Sequence, residues 1–399
     1  MNKVIKLLKK NKTVFNMCLW INVYINYLYY TIFMTIFSIF PLKKNRILFV
    51  SYYGKGYGDN GKYIANALIN DTKKYEIIWA AKKKFKNSIP VEVKYVKYNS
   101  LKYLYYLSTS KVWINNARFI YGMRKRKKQY YIQTWHSSLR LKKIEKDTED
   151  YLSKQYVLGA KWDSKMCDLI ISGCGFSTQI YRKSFWYTGK VLETGTPRCD
   201  IFFNNHDEIK QKVYNYFNIT NNMRIVLYAP TFREKNIMLN NFFQYNELVK
   251  KLREKDENYI LLVRFHPNSN ETLKNCEGVY NATDYPDMQE LILAADTLIT
   301  DYSGCCFDAM IAKKACILYI KDLKQYLKEE RNLYFDFDSL PFIKVTDEEM
   351  LAKEITEFDY NKYYDRIKEF DKIILNKESG KASQNIIKII ERMINDEEI

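Results

Sequence analysis

Three histidines occur in 399 residues, His136, His206 and His266, so any imidazole chemistry must use one of three positions. His136 lies in the stretch WHSSLRLKK (135–143), after a short apolar run and before a basic stretch that reads as helical. A neutral imidazole there could take a proton from an attacking hydroxyl, because its ordinary pKa lies near working pH. A structural imidazole closing a strand end accounts for the same position. Tyr228-Ala-Pro-Thr231-Phe-Arg233 offers a hydroxyl and a guanidinium after a proline turn, and a guanidinium grips phosphate in a bidentate fork. In Val263-Arg264-Phe265-His266-Pro267, Arg264 and His266 could cover a pyrophosphate or stabilise a leaving phosphate. In Thr300-Asp301-Tyr302-Ser303-Gly304, Ser303 could bind donor phosphate or cap a helix, and Asp301 could hold a base or a ribose. Capping and packing explain these residues equally well one at a time.

These clusters fall at the ends of predicted strands. Arg46–Ser51 reads as a buried strand, followed by a glycine-bearing turn (Gly54, Gly56, Gly58, Gly61) and a helix near Lys62–Asn70. The turn lacks the register of a dinucleotide fingerprint and reads as close backbone approach to a substrate. Tyr75–Ala80, Lys111–Asn115, Tyr130–Trp135, Asp168–Ser172 and Val191–Thr194 are further strands with helices between several of them. A polar stretch, Phe203–Lys210, marks a boundary, and a second set follows: Arg224–Tyr228, Tyr259–Phe265, Thr297–Thr300 and Ala315–Ile320, then a charged helical tail from Asp347. Strand–helix alternation predicts parallel sheets covered on both faces. The expected organisation is a segment 1–45, a Rossmann-like acceptor domain 46–202 and a Rossmann-like donor domain 203–399 with a helical tail. Such sheets bind ligands beyond the carboxyl ends of their strands, where helix N-termini meet phosphates.

Composition narrows the partners. Apolar residues make up 47%, enough for a sizeable core, and the net charge of +18 points to an anionic partner: a membrane surface, a phosphate-rich substrate or nucleic acid. Eight cysteines lack any zinc spacing and suit reduced thiols in a cytoplasm. Asp336-Phe-Asp338 spells a short acidic motif that recurs by chance, and neither a metal nor a cofactor is expected. Val14–Phe40 carries no charged residue, and Lys3, Lys6, Lys9, Lys10 and Lys12 precede it while Lys43, Lys44 and Arg46 follow. At 27 residues it is long enough to supply the roughly 20 that cross a bilayer. Basic clusters on both sides favour a monotopic or re-entrant segment held on the cytoplasmic face, with a single span and a buried core helix as the alternatives. The run Arg124–Lys128 reads as a solvated loop that could touch lipid or a polyanionic acceptor.

Taken in order, the clusters resemble the CDP-glycerol glycerophosphotransferase family of teichoic-acid primases and polymerases. The family's Trp-His-Gly-Thr-Pro-Leu-Lys-Lys element corresponds to 135–143, and its Gly-x-Pro-Arg-x-Asp element to Gly195-Thr-Pro197-Arg198-Cys-Asp200. The elements at 228–233 and 264–267 match, as does Ile299–Ser303 with Asp308, and an Arg-Gly element appears as Arg331-Asn332. Ser137-Ser138-Leu139 replaces the family's Gly-Thr-Pro, a departure in the loop expected to hold the acceptor. The resemblance implies a GT-B-like fold, a CDP-alditol donor carrying glycerol or ribitol phosphate, and a lipid-linked glycan or polyol-phosphate acceptor. It also implies membrane association at the cytoplasmic face. It makes His136 and His266 the catalytic candidates, with Thr231, Arg233, Arg264, Thr300, Asp301, Ser303, Arg198 and Arg331 around the substrates. Two other functions fit the composition: a nucleotide-sugar transferase of envelope polysaccharide synthesis, and a non-enzymatic nucleic-acid or lipid binder. Nucleic acid is not expected as a partner, because the clusters suit phosphate chemistry at strand ends.

Overall fold

The structure is a computed structural model that describes residues 11–398 except 205, 232–242, 267, 268, 270, 272, 274, 275, 330 and 331. Thirteen strands are described, all paired in parallel: β1 (Lys43–Val50), β2 (Glu76–Ala81), β3 (Lys94–Lys97), β4 (Ser110–Asn115), β5 (Tyr130–Gln133), β6 (Leu169–Ile171), β7 (Lys190–Leu192), β8 (Arg224–Tyr228), β9 (Tyr259–Val263), β10 (Val279–Asn281), β11 (Thr297–Thr300), β12 (Ala315–Tyr319) and β13 (Ile343–Val345). They form two sheets, ordered β3-β2-β1-β4-β5-β6-β7 and β10-β9-β8-β11-β12-β13. The central strands are continuous apolar runs because helices cover both faces. Ile47–Val50 and Tyr259–Val263 are buried throughout.

Each sheet reverses its winding once, between β1 and β4 in the first and between β8 and β11 in the second. At such a switch point the crossovers leave on opposite faces, and a crevice opens beyond the strand ends. The α/β expectation is thus met with two parallel sheets. The short edge strands β3, β10 and β13 add to the strands read from the sequence. The stretch after His136 is not helical. Leu139 and Leu141, two residues apart, are both buried, and Lys142 bridges to Leu333 in an antiparallel pairing. Burial is unbroken from Ser138 to Leu141, Arg140 included, and it carries the two leucines into the apolar cluster beneath the second sheet.

The two halves are interleaved at their ends. The final helix, Ala382–Ile394, returns to the first sheet, where Ile386, Ile390 and Met393 join Ile47, Phe49 and Val112 in one core cluster. Its first turn is capped from a distance: Asp200 accepts from the Ala382 and Ser383 N–H groups at 2.9 and 2.7 Å.

The N-terminal run forms a helix, Lys12–Phe37. No helix among the described residues is long and apolar enough to cross a membrane. Tyr30 and Met34 are buried against Tyr103, Leu104 and Trp113, while Met17, Ile21, Ile25, Leu28, Ile32 and Ile36 face outward. The basic loop 124–128 docks on this helix. Gly122 makes the approach possible, because a Cβ there would lie 2.5 Å from the Tyr27 Cα. Arg124 donates to the Tyr27 hydroxyl at 2.8 Å, and Arg126 to the Phe40 carbonyl at 2.8 Å.

Candidate active site

The switch point of the first sheet holds His136. The β1 end delivers Tyr52, the β4 end Asn116 and the β5 end His136. The Tyr52 N–H donates to Asn116 Oδ1 at 2.8 Å, and His136 Nδ1 lies 3.2 Å from the Asn116 carbonyl oxygen. A carbonyl can only accept, so Nδ1 carries the proton and the Nε2 lone pair is left for another partner. Trp135 stacks on the imidazole at 4.6 Å and Tyr52 lies 5.8 Å from it. Burial pushes the His136 pKa below its ordinary value, with Arg140 and Arg198 adding to the effect against Asp59 and the Asn116 carbonyl. The ring is therefore neutral at pH 7.

The switch point of the second sheet lies opposite. Asp301 accepts from the Thr231 N–H at 2.8 Å and the Tyr302 N–H at 2.6 Å, tying the turn after β11 to the loop after β8. Thr300 is fully buried and donates to the Ala229 carbonyl at 2.7 Å. Ser303 is half-buried in the same turn and accepts from the Cys305 N–H at 3.4 Å. From β9, Arg264 donates to the Tyr285 carbonyl at 2.8 Å. Burial lowers the Arg264 pKa, and Asp287, Cys305 and Tyr52 lie within its electrostatic reach. Tyr52, against His136, is thus also within electrostatic reach of Arg264, on the side where the two sheets meet. His266 is exposed at this rim, and partial burial, then Lys55 and Lys142, lowers its pKa. Arg233 and Arg331 lie outside the described residues.

Arg198, expected among the substrate ligands, lies between protein carboxylates. Its guanidinium lies 3.4 Å from Asp59 of the first half and 2.6 Å from Asp308 of the second. A buried guanidinium between two carboxylates has its charge met within the protein, and Arg198 ties the two halves together as a strut. A second strut runs from Lys62 to Asp287 at 2.5 Å and to Glu290 at 3.0 Å, with the Tyr63 hydroxyl on Asp287 at 3.0 Å. Burial works against the Lys62 charge, but the two carboxylates outweigh it and raise its pKa. Sequence reasoning missed Asp59, Lys62, Asn116 and Asp287. Asn115-Asn116 at a strand end was the available local signal for one of them.

Glu378 also went unread. It follows the helix Tyr360–Ile374 and inserts beside Ser138 and Thr196, accepting from the Thr196 N–H at 2.9 Å. A Cβ on Gly173 would overlap both Glu378 Oε1 and Ser138 Oγ, so the three strand-end loops meet around this carboxyl group. Burial raises its pKa to about 7. Asp336 accepts from the Asp338 N–H at 3.4 Å and so caps a short turn.

The sequence profile of CDP-Glycerol:Poly(glycerophosphate) glycerophosphotransferase matches residues 32–392. A teichoic acid poly(glycerol phosphate) polymerase of Bacillus spizizenii is 30% identical over 90% of this chain and 95% of its own length. A protein of the same description from Staphylococcus epidermidis is 30% identical over 89% of this chain, which spans only 52% of that relative. The wall teichoic acid polymerase TagF superposes with a TM-score of 0.83 at 27% identity, covering 94% of this chain and 98% of that one. The profile covers far more than half of the chain, including both switch points, and the chain belongs to the CDP-glycerol:poly(glycerophosphate) glycerophosphotransferase family.

Proposed function

We propose that the protein transfers glycerol phosphate from CDP-glycerol to a hydroxyl of a lipid-linked glycan or of a growing polyol-phosphate chain, releasing CMP. The observation that carries this reading is the His136 tautomer, with Nδ1 committed to the Asn116 carbonyl and Nε2 available as a base at the crevice. Nε2 takes the proton of the acceptor hydroxyl as its oxygen bonds to the β-phosphorus. The bond from that phosphorus to the bridging oxygen breaks, and CMP leaves with the electron pair. Arg264 and His266, from one strand end, face the charge that develops on the leaving phosphate. Ser303 in the turn after β11 and Thr231 in the loop after β8, tied together by Asp301, line the same side. Arg233 and Arg331, at positions matching the family's motifs, complete the phosphate set. Thr300, Asp301 and Arg198 act through their neighbours, holding these loops in place.

The acceptor side is assigned to residues 46–202 and the donor side to residues 203–399, with the closing helix shared. The outward apolar stripe of the Lys12–Phe37 helix and its docked basic loop support seating on an anionic membrane surface at the cytoplasmic face, lying along it rather than through it. CMP release from CDP-glycerol and CDP-ribitol, with detergent-purified protein and a lipid-linked acceptor, tests the reaction. Acceptor-dependent release from CDP-glycerol is expected. Turnover of UDP-sugars with neither CDP-alditol used would overturn the reading.

A further inference from the structure

A ridge of lysines borders the crevice and takes no part in the site described above. Lys82, Lys83, Lys84 and Lys86 follow β2 at the carboxyl end of the first sheet, mostly on a short helical turn, Lys83–Ser88. All four are exposed and none forms an ion pair among the described residues, Lys84 and Lys86 instead lying over the Phe85 and Tyr95 rings at 4.7 and 5.9 Å. The ridge is built against the glycine-bearing turn at the first switch point. The Lys82 N–H donates to the Gly54 carbonyl at 2.8 Å, the Trp79 indole to the Gly56 carbonyl at 3.0 Å, and the Phe85 ring lies 3.8 Å from where a Gly56 Cβ would stand. Lys55, on the same turn, is exposed and within electrostatic reach of His266 across the crevice. Positive charge therefore runs from the reaction crevice, over Lys55, along Lys82–Lys86 and away past the first sheet's edge.

A single donor pyrophosphate, met by groups inside the crevice, gives no use for four more cations at its rim. A row of cations at a rim suits a ligand with a row of anions. Neutralising several phosphates at once displaces counterions and gives salt-sensitive, sequence-independent binding. We propose that Lys82, Lys83, Lys84 and Lys86 form a track for the phosphodiester backbone of the acceptor polymer, holding the chain while its terminal hydroxyl sits at His136. This rests on the transfer reaction proposed above. It adds where the bulk of the acceptor lies.

The test uses the full chain with all four lysines changed to Gln (Lys82→Gln, Lys83→Gln, Lys84→Gln and Lys86→Gln), positions whose exposure leaves the core untouched. The first arm omits the donor and measures binding of fluorescently labelled soluble poly(glycerol phosphate) by anisotropy. The variant is expected to bind at least fivefold more weakly, with a shallower dependence on salt. The second arm supplies CDP-glycerol. Turnover on a lipid-linked acceptor bearing one glycerol phosphate should stay within twofold, while product chains become shorter. Unchanged polymer affinity in the first arm overturns the track, whatever the second arm gives. Loss of binding to anionic vesicles with polymer affinity intact overturns it too, making the ridge a lipid contact. A wild-type protein that binds the polymer through the ridge yet releases no CMP from CDP-glycerol would sink the proposed reaction and leave the track standing.

Discussion

His136 owes its protonation state to one backbone carbonyl and to burial, and both effects point the same way. The carbonyl fixes the tautomer, and burial removes the second proton at neutral pH. A base of this kind has an acid limb below the ordinary histidine value, so kcat/KM should rise through a pH under about 6.5 and then stay level through pH 8. A limb centred above pH 7 would exclude His136 as the base. His136→Ala should lower kcat by roughly two orders of magnitude or more with little change in donor affinity, read by CMP release and by binding of CDP. Glu378 has the opposite sign of dependence. Its pKa rises from 4.5 to about 7 on folding, so the folded state holds the proton more tightly. Its contribution to stability is complete below about pH 4.5 and is lost as pH rises through 7. The shift corresponds to about 3 kcal/mol. Asp200 faces it as a like charge, and burial of Cys174 and Cys199 beside it keeps those thiols neutral. Glu378→Gln keeps the shape and removes the charge, so its urea midpoint should hold between pH 5 and 8 where the wild type declines. Parallel decline of both proteins would show that Glu378 does not titrate in this range.

At the scale of elements, strand ends were legible because the chemistry and the apolar runs abut. Tyr228-Ala-Pro-Thr231 and Thr300-Asp301 each sit directly after a buried strand, and the structure joins them through one carboxylate. The stretch after His136 was misread because Arg140, Lys142 and Lys143 have the polarity of a helix surface. In the folded chain Ser138, Leu139, Arg140 and Leu141 are buried in succession, a pattern with neither a helix's nor a strand's period. The edge strands β3, β10 and β13 are three or four residues long, too short for a period to register. The N-terminal helix shows both a legible and an illegible side. Its apolar length was plain, but which residues pack inward depends on Gly122 and the Tyr103 face, which lie some 70 or more residues later. The outward stripe steps by three or four residues from Met17 to Ile36, and a stripe of this spacing on one helix face is what an interfacial helix presents to a monolayer. Replacing Ile25 and Leu28 with Asp should shift most of the protein from the vesicle pellet to the supernatant in a sedimentation assay with anionic liposomes. The folded core should be unaffected, because both side chains are more than half exposed. Undiminished sedimentation would remove the helix from membrane contact.

The relation between the two halves is the property least visible in a sequence. Lys62 and Asp287 stand 225 residues apart, and no local pattern marks them as partners. Yet the proposed reaction requires His136 on one sheet and Arg264 on the other to face a single pair of substrates, so the halves must be held at a defined spacing. The two struts differ in kind. Arg198 sits on the connection between the halves and draws in Asp59 and Asp308, whereas Lys62 reaches directly from the first half to the second. The side chains of Asp287 and Glu290 are only 3% and 7% exposed; Lys212 still meets Glu290 at 2.7 Å, but removing Lys62 leaves Asp287 with no salt-bridge partner among the described residues. Breaking a buried pair from one side costs about 3–5 kcal/mol, whereas replacing both partners with apolar or neutral groups is nearly neutral. Lys62→Met should therefore lower the urea midpoint clearly, and Lys62→Met with Asp287→Asn should recover part of the loss. Activity separates spacing from stability. If the strut sets the crevice, the double variant keeps a near-native midpoint but shows a raised KM for the donor and a lowered kcat, because the groups from the two sheets no longer meet at one distance. Native kinetics in the double variant would mean that the Arg198 strut alone holds the halves in register.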